Sequence, residues 1–174
     1  MTIQQIKDSI RNIPDFPKKG IQFKDITTAL KNPTILKEIL DTCANYYKND
    51  KIDYVVGIES RGFIFGTALA YLLDCGFIPV RKPGKLPAEI ISQEYELEYG
   101  TDRIEIHADA LNKGDKVLIV DDLLATGGTA KAAAELVQKL EAEIAGFAFV
   151  IELNDLHGRD KLSSIADVYS VVKY

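Results

Sequence analysis

Two adjacent acids and a loop with two glycines follow an apolar segment in the second half of the chain. The apolar segment is VLIV at 117–120, the acids are Asp121 and Asp122, and the loop spans 125–129. Backbone N–H groups at the start of a helix are unpaired and lie at the positive end of the helix dipole, so they bind phosphate. The predicted phosphate ligands are Ala125, Thr126, Gly127, Gly128 and Thr129.

The acid pair requires a different group on the same ligand, because carboxylates repel phosphate. An ionised Asp only accepts hydrogen bonds, and the vicinal hydroxyls of a ribose donate them. Negative charge beside a sugar ring also stabilises a developing oxocarbenium ion. Asp121 and Asp122 therefore predict a ribose 5-phosphate ligand. Because neighbouring strand residues face opposite sides, both acids reach one ligand only if the chain turns there.

Several other chemistries are disfavoured by the sequence. It has neither the GxxxxGK[ST] pattern of a Walker nucleotide site nor a GxGxxG after a first strand, which a Rossmann dinucleotide site requires. Its net charge of -5 argues against a general nucleic-acid binder, which usually presents a basic field. His107 and His157 stand alone, so no His/Cys cluster suggests zinc.

The elements that must position these residues alternate between strands and helices. Short apolar runs without polar alternation are typical of strands in parallel sheets, which are covered on both faces. The predicted strands are 54–58, 76–80, 117–120, 147–153 and 168–173, and the predicted helices are 2–12, 33–47, 62–74 and 130–143. This alternation indicates an α/β fold with a mainly parallel central sheet flanked by helices. In such sheets ligands bind at the carboxyl ends of the strands.

Two segments interrupt this alternation. Residues 14–26 contain two prolines and predict an extended loop. Residues 81–107 contain prolines, glycines and a turn between two partly alternating segments, which predicts a flap or hairpin that is mobile in part. Neither segment has the composition of a linker, and the sequence contains no repeat, so residues 1–174 are predicted to form one domain.

Length and composition bound the class of protein. The 174 residues are 47% hydrophobic and 27% charged, which is typical of a globular protein and excludes a disordered or collagen-like chain. The longest near-apolar run, at 63–73, is shorter than the roughly 20 residues of a membrane span. Cys43 and Cys75 form no CxxC motif, and the N-terminus has no apolar signal-peptide core. We therefore expect a reducing, cytoplasmic setting.

The motif at 117–130 resembles the phosphoribosyl-pyrophosphate signature of type I phosphoribosyltransferases. Four further segments resemble the members of that family that act on adenine: 15–26, 57–63, 81–87 and 97–100. The similarity covers nearly the whole chain in colinear order. It implies the type I phosphoribosyltransferase fold, with a small N-terminal hood at 1–32 that holds a helix and a base-binding loop, and a flexible flap at 81–107.

The resemblance also implies a reaction. The 5-phosphoribosyl group of phosphoribosyl pyrophosphate is transferred to N9 of adenine, giving AMP and pyrophosphate in purine salvage, by dissociative displacement at the anomeric carbon. Mg²⁺ is the implied cofactor, held mainly by substrate and water, because this ion keeps several waters and binds substrate phosphates. The implied assembly is a homodimer whose partner supplies part of the pyrophosphate contact, with no nucleic acid and no membrane as partners.

The resemblance assigns roles to residues outside the phosphate loop. The implied pyrophosphate ligands are Ser60, Arg61, Arg81, Lys82 and Lys85. Cations suit a highly charged leaving group, and a guanidinium fork binds phosphate oxygens. The implied catalytic residues are Glu98, Tyr99 and Arg61. The carboxylate would act as a general base near the imidazole edge of adenine, and the tyrosine would help to close the site.

The implied adenine-binding residues are Gln22, Phe23, Lys24 and Leu123. One backbone C=O and one backbone N–H at 21–24 suffice to read the N6 donor and N1 acceptor of adenine, with Phe23 stacked on the ring and Leu123 opposite. A site built for a donor rejects hypoxanthine, which carries a C=O in place of the amine. The segment departs from the family pattern at Lys19 and Thr28, where proline is expected, and at the more polar Gln22.

Two other functions remain open at this point. One is a transferase for another base, such as xanthine or guanine. The other is a regulator that binds phosphoribosyl pyrophosphate and has lost catalysis. The net acidity and the presence of Glu98, Arg61 and Lys85 favour an enzyme over such a regulator.

Overall fold

The computed structural model describes residues 2–97 and 100–174. The helices are α1 (Ile3–Ser9), α2 (Thr27–Leu30), α3 (Pro33–Tyr47), α4 (Gly62–Leu72) and α5 (Gly128–Lys139). The strands are β1 (Arg11–Pro14), β2 (Gln22–Asp25), β3 (Tyr54–Ile58), β4 (Gly76–Val80), β5 (Ile90–Glu96), β6 (Thr101–His107), β7 (Lys116–Leu124), β8 (Glu143–Glu152) and β9 (Asp167–Lys173). Two 3₁₀ turns, Asn154–Leu156 and Gly158–Lys161, lie between β8 and β9.

A five-stranded parallel sheet forms the centre of the fold, in the order β4-β3-β7-β8-β9. The predicted α/β fold with a central parallel sheet flanked by helices is confirmed, and each of the five predicted strands is present. β3 lies between β4 and β7, so the carboxyl ends of three strands meet at one edge of the sheet. The candidate residues at 60–61 and 81–82 follow β3 and β4, and those at 121–122 lie in the last four residues of β7.

Both faces of the sheet are covered, because alternate residues of each central strand enter different cores. Val117 and Ile119 of β7 pack in one core with α5 and with the β5–β6 hairpin. Leu118 and Val120 pack in the other core with α1, α3 and α4. All four side chains are at most 1% exposed. This two-sided burial explains why the strand reads as a continuous apolar run.

The N-terminal segment corrects the prediction of a helix over 2–12 and a loop over 14–26. α1 ends at Ser9, and β1 pairs antiparallel with β2 to form a small two-stranded sheet. Ile13 has helical spacing from Ile6 and Ile10, but its backbone lies opposite Phe23 in this sheet. Periodicity alone could not distinguish a longer helix from a helix followed by a strand, because the residue that pairs with Ile13 of β1 is ten positions further along the chain.

Two element boundaries around the candidate phosphate loop also differ from the prediction. The helix predicted over 130–143 is α5, which begins at Gly128 and ends at Lys139, and Glu143 already belongs to β8. β7 continues to Leu124, beyond the predicted end at 120. Both acids therefore lie within the strand, and the chain does not turn at them. The expectation that a turn is required is nevertheless wrong. Although burial lowers the pKa of Arg61, Asp122 and Asp121 both raise it, so both carboxylates lie near one guanidinium. At the other helix of this edge, α4 ends at Leu72 rather than at 74.

The predicted hairpin within 81–107 is confirmed as β5 and β6, paired from Ile90 opposite His107 to Glu96 opposite Thr101. Its base belongs to the first core, because Ile104 and Ile106 are at most 1% exposed. A backbone pair between Arg81 and Glu105 connects the hairpin to the end of β4. Within residues 2–97 and 100–174, no helix is long and apolar enough to cross a membrane.

Candidate active site

The predicted phosphate loop lies between β7 and α5 and encloses a small cavity of about 80 Å³. The cavity is lined by the five residues 125–129 together with Asp121, Leu123, Leu124 and Ala130. Gly127 precedes α5 with a φ of 79°, a left-handed conformation that glycine adopts at no steric cost. No side chain caps this end of α5 within the part of the chain that the structure describes. Its first N–H groups are therefore left for a ligand, as a phosphate site requires.

The loop at 125–129 packs against a residue that the sequence pattern did not identify. Gly158, which is buried in the second 3₁₀ turn, presses its backbone against Ala125 and Gly127. A Cβ on Gly127 would lie 2.5 Å from the Gly158 carbonyl oxygen, and a Cβ on Gly158 would overlap the Ala125 carbonyl oxygen. The contact is thus backbone against backbone. The sequence offered no signal for it, because 33 positions separate Ala125 from Gly158.

The two acids of β7 meet the start of α4. Asp122 is 5% exposed and accepts a hydrogen bond of 2.5 Å from Nε of Arg61. Asp121 accepts a hydrogen bond of 2.8 Å from the Asp122 N–H. A Cβ on Gly62 would lie 3.0 Å from Oδ1 of Asp121, so glycine permits the close approach of α4 to this strand. Burial and the neighbouring charge of Asp122 raise the pKa of Asp121 well above its usual range.

Each cation predicted for the pyrophosphate site is paired with a carboxylate in this structure. Arg81 and Lys85 both lie 3.3 Å from the carboxylate of Glu59, the first residue after β3. Lys82 pairs with Asp102 of the hairpin, and its Nζ donates a hydrogen bond of 3.0 Å to the Tyr95 hydroxyl. Arg61 pairs with Asp122, as described above. The structure therefore brings these cations to one edge of the sheet, together with two acids that the sequence did not identify, Glu59 and Asp102.

Ser60 and Leu123 lie at the same edge. Ser60 lies two residues after the end of β3, and its carbonyl oxygen accepts the Phe63 N–H at the start of α4. Leu123 is partly buried against the second core. The predicted general base Glu98 and the adjacent Tyr99 lie outside the described residues. Their positions in the site therefore stay predictions.

The predicted base-binding residues lie on β2, in the small N-terminal sheet. The ring of Phe23 meets the ring of Phe16 edge-on, with 5.1 Å between centroids. Gln22 accepts a hydrogen bond of 2.6 Å from Asn12. Nζ of Lys24 donates to Asn12 at 3.0 Å and lies 4.2 Å from the ring centroid of Tyr174. The stacking of Phe23 and Leu123 on a base is not tested by these contacts.

A carboxylate at the end of β2 connects this small sheet to the start of α2. Asp25 accepts hydrogen bonds from the Thr27 hydroxyl at 2.7 Å and from the Arg11 guanidinium. These hydrogen bonds lower the pKa of Asp25 to about 2. An ionised Asp25 therefore joins β1, β2 and the start of α2 at neutral pH.

The sequence matches one protein family over most of its length. Residues 25–173 match the family described as the phosphoribosyl transferase domain. The chain is 60% identical over 169 residues to the adenine phosphoribosyltransferase of Halothermothrix orenii, and the match covers 97% of this chain and 99% of that relative.

Two crystal structures are similar to the whole fold. The adenine phosphoribosyltransferase of Thermoanaerobacter pseudethanolicus has a TM-score of 0.96 at 53% identity, over 99% of this chain and 100% of that one. The Saccharomyces cerevisiae enzyme, complexed with adenine and D-2,5-dideoxy-2,5-imino-altritol 1,6-bisphosphate, has a TM-score of 0.91 at 45% identity, over 98% of each chain. These matches extend over the loop, the acid pair and the cations described above.

Proposed function

The chain belongs to the adenine phosphoribosyltransferases of the phosphoribosyl transferase family, and from this we infer that it transfers the 5-phosphoribosyl group of phosphoribosyl pyrophosphate to N9 of adenine, giving AMP and pyrophosphate. It is a glycosyltransferase of purine salvage. The observation that carries this function is one sheet edge where an uncapped helix N-terminus, an acid pair and four cations lie together.

We propose that the loop at 125–129 binds the 5-phosphate of the substrate through its backbone N–H groups and hydroxyls. Asp121 and Asp122 bind the ribose hydroxyls and stabilise the oxocarbenium ion that forms at the anomeric carbon. Arg61 exchanges its bond with Asp122 for the incoming pyrophosphate, which leaves the carboxylate for the sugar. This exchange explains how the acids share one site with an anionic substrate, because the Arg61 charge then offsets that of the pyrophosphate.

The leaving group is bound by the remaining cations in this proposal. Ser60, Arg61, Arg81, Lys82 and Lys85 bind pyrophosphate as its bond to the anomeric carbon breaks and the bond to N9 forms. Carboxylate oxygens such as those of Asp121 and Asp122 are hard donors, which suit Mg²⁺. They would hold the ion through substrate hydroxyls and water, and the bound ion would offset the charge of the phosphates.

The base is recognised at the small N-terminal sheet in this proposal. Backbone groups at 21–24 read the N6 amine and N1 of adenine, with Phe23 on one face of the ring and Leu123 on the other, beside Gln22 and Lys24. Glu98 accepts the proton that N9 or N7 loses, and Tyr99 helps to exclude water, which would otherwise hydrolyse the cation.

We place the reaction in the cytoplasm, a setting in which the free thiols of Cys43 and Cys75 persist.

The first prediction concerns the substrates. With Mg²⁺ and phosphoribosyl pyrophosphate, the protein is expected to form AMP from adenine and to turn over hypoxanthine, guanine and xanthine at least ~10⁴-fold less efficiently, because a site that accepts from the N6 amine faces a mismatched C=O in the oxopurines. Chromatography of the nucleotide products measures this preference. Turnover of an oxopurine with adenine inert would assign a different base, and tight binding of phosphoribosyl pyrophosphate without turnover would assign a regulator.

We also propose that the protein acts as a homodimer, and an apolar groove between α3 and α4 supports this. The groove has a volume of about 590 Å³ and is lined by Leu36, Leu40, Ile64 and Tyr71, among others. Tyr71 is 85% exposed and Ile64 is 46% exposed, which is unusual for side chains of this size. α4 begins directly after Ser60 and Arg61, so a second copy on this groove would lie beside the pyrophosphate site.

The second prediction tests this assembly. Sedimentation equilibrium of the natural protein is expected to give twice the chain mass of 19.3 kDa. Tyr71→Glu places a charge in the groove and is expected to shift the mass towards the monomer, because burying an unpaired carboxylate is costly. Leu156→Glu is the matched control, since Leu156 is also exposed but does not line the groove. A monomeric natural protein, or a Tyr71→Glu dimer as stable as the control, would contradict this interface.

A further inference from the structure

The loop that carries three of the proposed pyrophosphate ligands is held by a carboxylate that the reaction does not use. Oε2 of Glu59 accepts a hydrogen bond of 2.9 Å from the Lys82 N–H and one of 3.3 Å from Nε of Arg81. Its other oxygen lies 3.3 Å from Nζ of Lys85. One side chain, only 13% exposed, therefore contacts three positions of the segment 81–85.

A second buried carboxylate holds the same segment from the other side. The backbones of Arg81 and Glu105 exchange two hydrogen bonds, of 2.9 and 2.8 Å. The side chain of Glu105, a residue that is 5% exposed, accepts a hydrogen bond of 3.1 Å from the Gly84 N–H. Residues 81–85, at the start of the predicted flap, are thus held at four positions. The contacts come from Glu59, which follows β3, and from Glu105 in β6.

Glu59 also stands at the junction of two strand ends. Its N–H donates to the Val80 carbonyl oxygen at 2.9 Å, at the end of β4. It directly precedes Ser60 and Arg61 in the chain. The same residue therefore connects the two loops that are proposed to meet on the pyrophosphate.

The negative charge of Glu59 can act on the binding of pyrophosphate in two opposite ways. Although burial favours its neutral form, hydrogen bonds from the Lys82 N–H, Lys85 and Arg81 lower the pKa of Glu59, so it is ionised at neutral pH. If the carboxylate acted only as a nearby negative charge, it would weaken the binding of an anion, and its removal would tighten that binding. If it orients the cations, its removal would weaken the binding, because flexible side chains lose entropy when an anion must order them.

We propose that Glu59 is a positioning residue for pyrophosphate. Together with Glu105 it clamps the segment 81–85, so that Arg81 and Lys85 converge on the leaving group before substrate binds. Arg81 and Lys85 carry two positive charges and Glu59 carries one negative charge, so a net positive charge remains to attract the anion. This role rests on the proposed function and concerns the same site.

The variant Glu59→Gln tests the proposal, because glutamine keeps the size and an acceptor for the Lys82 N–H but loses the charge. Loss of charge-assisted hydrogen bonds is expected to raise KM for phosphoribosyl pyrophosphate, and the inhibition constant of pyrophosphate, by about ten- to a hundredfold. KM for adenine is expected to stay within about twofold, because the base binds elsewhere. A purely structural defect would move both constants, so this difference between them is the diagnostic readout.

Glu89→Gln serves as the matched control, since it makes the same charge change at an exposed position near the same loop. Glu59→Asp, which keeps the charge, is expected to fall between Glu59→Gln and the natural protein. In a double-mutant cycle, Glu59→Gln is expected to have a smaller effect in a Lys85→Met background than alone, because it acts through that lysine.

Three results distinguish the possible failures. Equal or tighter binding of phosphoribosyl pyrophosphate and pyrophosphate by Glu59→Gln would overturn the positioning role, and so would additive effects in the cycle with Lys85→Met. Both results presuppose that the natural protein forms AMP. A natural protein that forms no AMP from adenine would instead overturn the proposed function.

Discussion

Substitution of Gly127 by alanine is expected to abolish most of the activity and to lower the stability of the fold. The residue has a φ of 79°, and L-residues in that region cost about 1–2 kcal/mol. The new Cβ would also lie 2.5 Å from the Gly158 carbonyl oxygen, which is backbone and cannot rotate away. Overpacking of this kind costs a further ~1–3 kcal/mol. Urea unfolding is therefore expected to give a loss of roughly 2–5 kcal/mol.

The activity is expected to fall further than the stability suggests. The loop must move to relieve the overlap, and a displacement of about 1 Å in a positioning element costs about a hundredfold in rate. kcat/KM for phosphoribosyl pyrophosphate measures this loss in protein that is still folded.

Gly114→Ala is the control for Gly127→Ala. Gly114 has nearly the same backbone conformation, with a φ of 83°, but a Cβ there would meet nothing within 4 Å. The free energy of unfolding of this variant is expected to fall by only about 1–2 kcal/mol, the cost of the backbone conformation, and its activity is expected to be unchanged. If both variants lost the same stability and the same activity, the packing of the loop on Gly158 would not matter for the site.

The variant Asp122→Asn is expected to lower kcat/KM for phosphoribosyl pyrophosphate by about 10²–10³-fold. The amide cannot supply the negative charge that stabilises the oxocarbenium ion, and loss of one preorganised electrostatic group costs roughly 3–4 kcal/mol in the transition state. The fold is expected to change little, because the Arg61 side chain is 46% exposed and water can replace its lost partner.

Steady-state kinetics with each substrate varied in turn, together with thermal unfolding, test this expectation. Asp155→Asn makes the same chemical change at an exposed position and is expected to leave both measurements unchanged. An unchanged kcat/KM in Asp122→Asn would remove the acid pair from the proposed mechanism, whatever the behaviour of the phosphate loop.

The phosphate loop was predictable because its signals are local. A buried strand, two acids, two glycines and a helix follow each other within fourteen positions, 117–130, and the physics of helix N-termini gives this order a meaning. The cations were assigned from the family resemblance, and their places in the sequence agree with that assignment. They follow strand ends, and the carboxyl ends of neighbouring parallel strands meet at one edge.

Glu59 shows where the same reasoning stopped short. It follows the end of β3, as the acids of β7 were predicted to follow a strand, but no pattern in the sequence links its carboxylate to a ligand. Only the pairing of β3 with β4 brings it to Arg81 and Lys85. An acid that organises cations cannot be distinguished from an acid that binds substrate until its neighbours are known.

The limits of periodicity appear at the N-terminus. The helical spacing of Ile6, Ile10 and Ile13 predicted a helix over 2–12, but α1 ends at Ser9 and Ile13 belongs to β1. A four-residue strand carries too few residues to establish a period of two, and its partner β2 supplies the hydrogen bonds that decide its conformation.

The amino-acid sequence by itself determined the class of fold, the order of the strands and helices from residue 33 onwards, and the proposed chemistry of the ligand, because each depends on residues that are close in sequence. The tertiary structure decided which charges are paired, where Gly158 supports the loop, and how Glu59 and Glu105 hold the cationic segment. These contacts join positions that lie 20 to 61 residues apart in the chain, and local propensity carries no information about them. The physical reason is that strand register and helix packing, not the neighbouring residues, fix the distances between such groups.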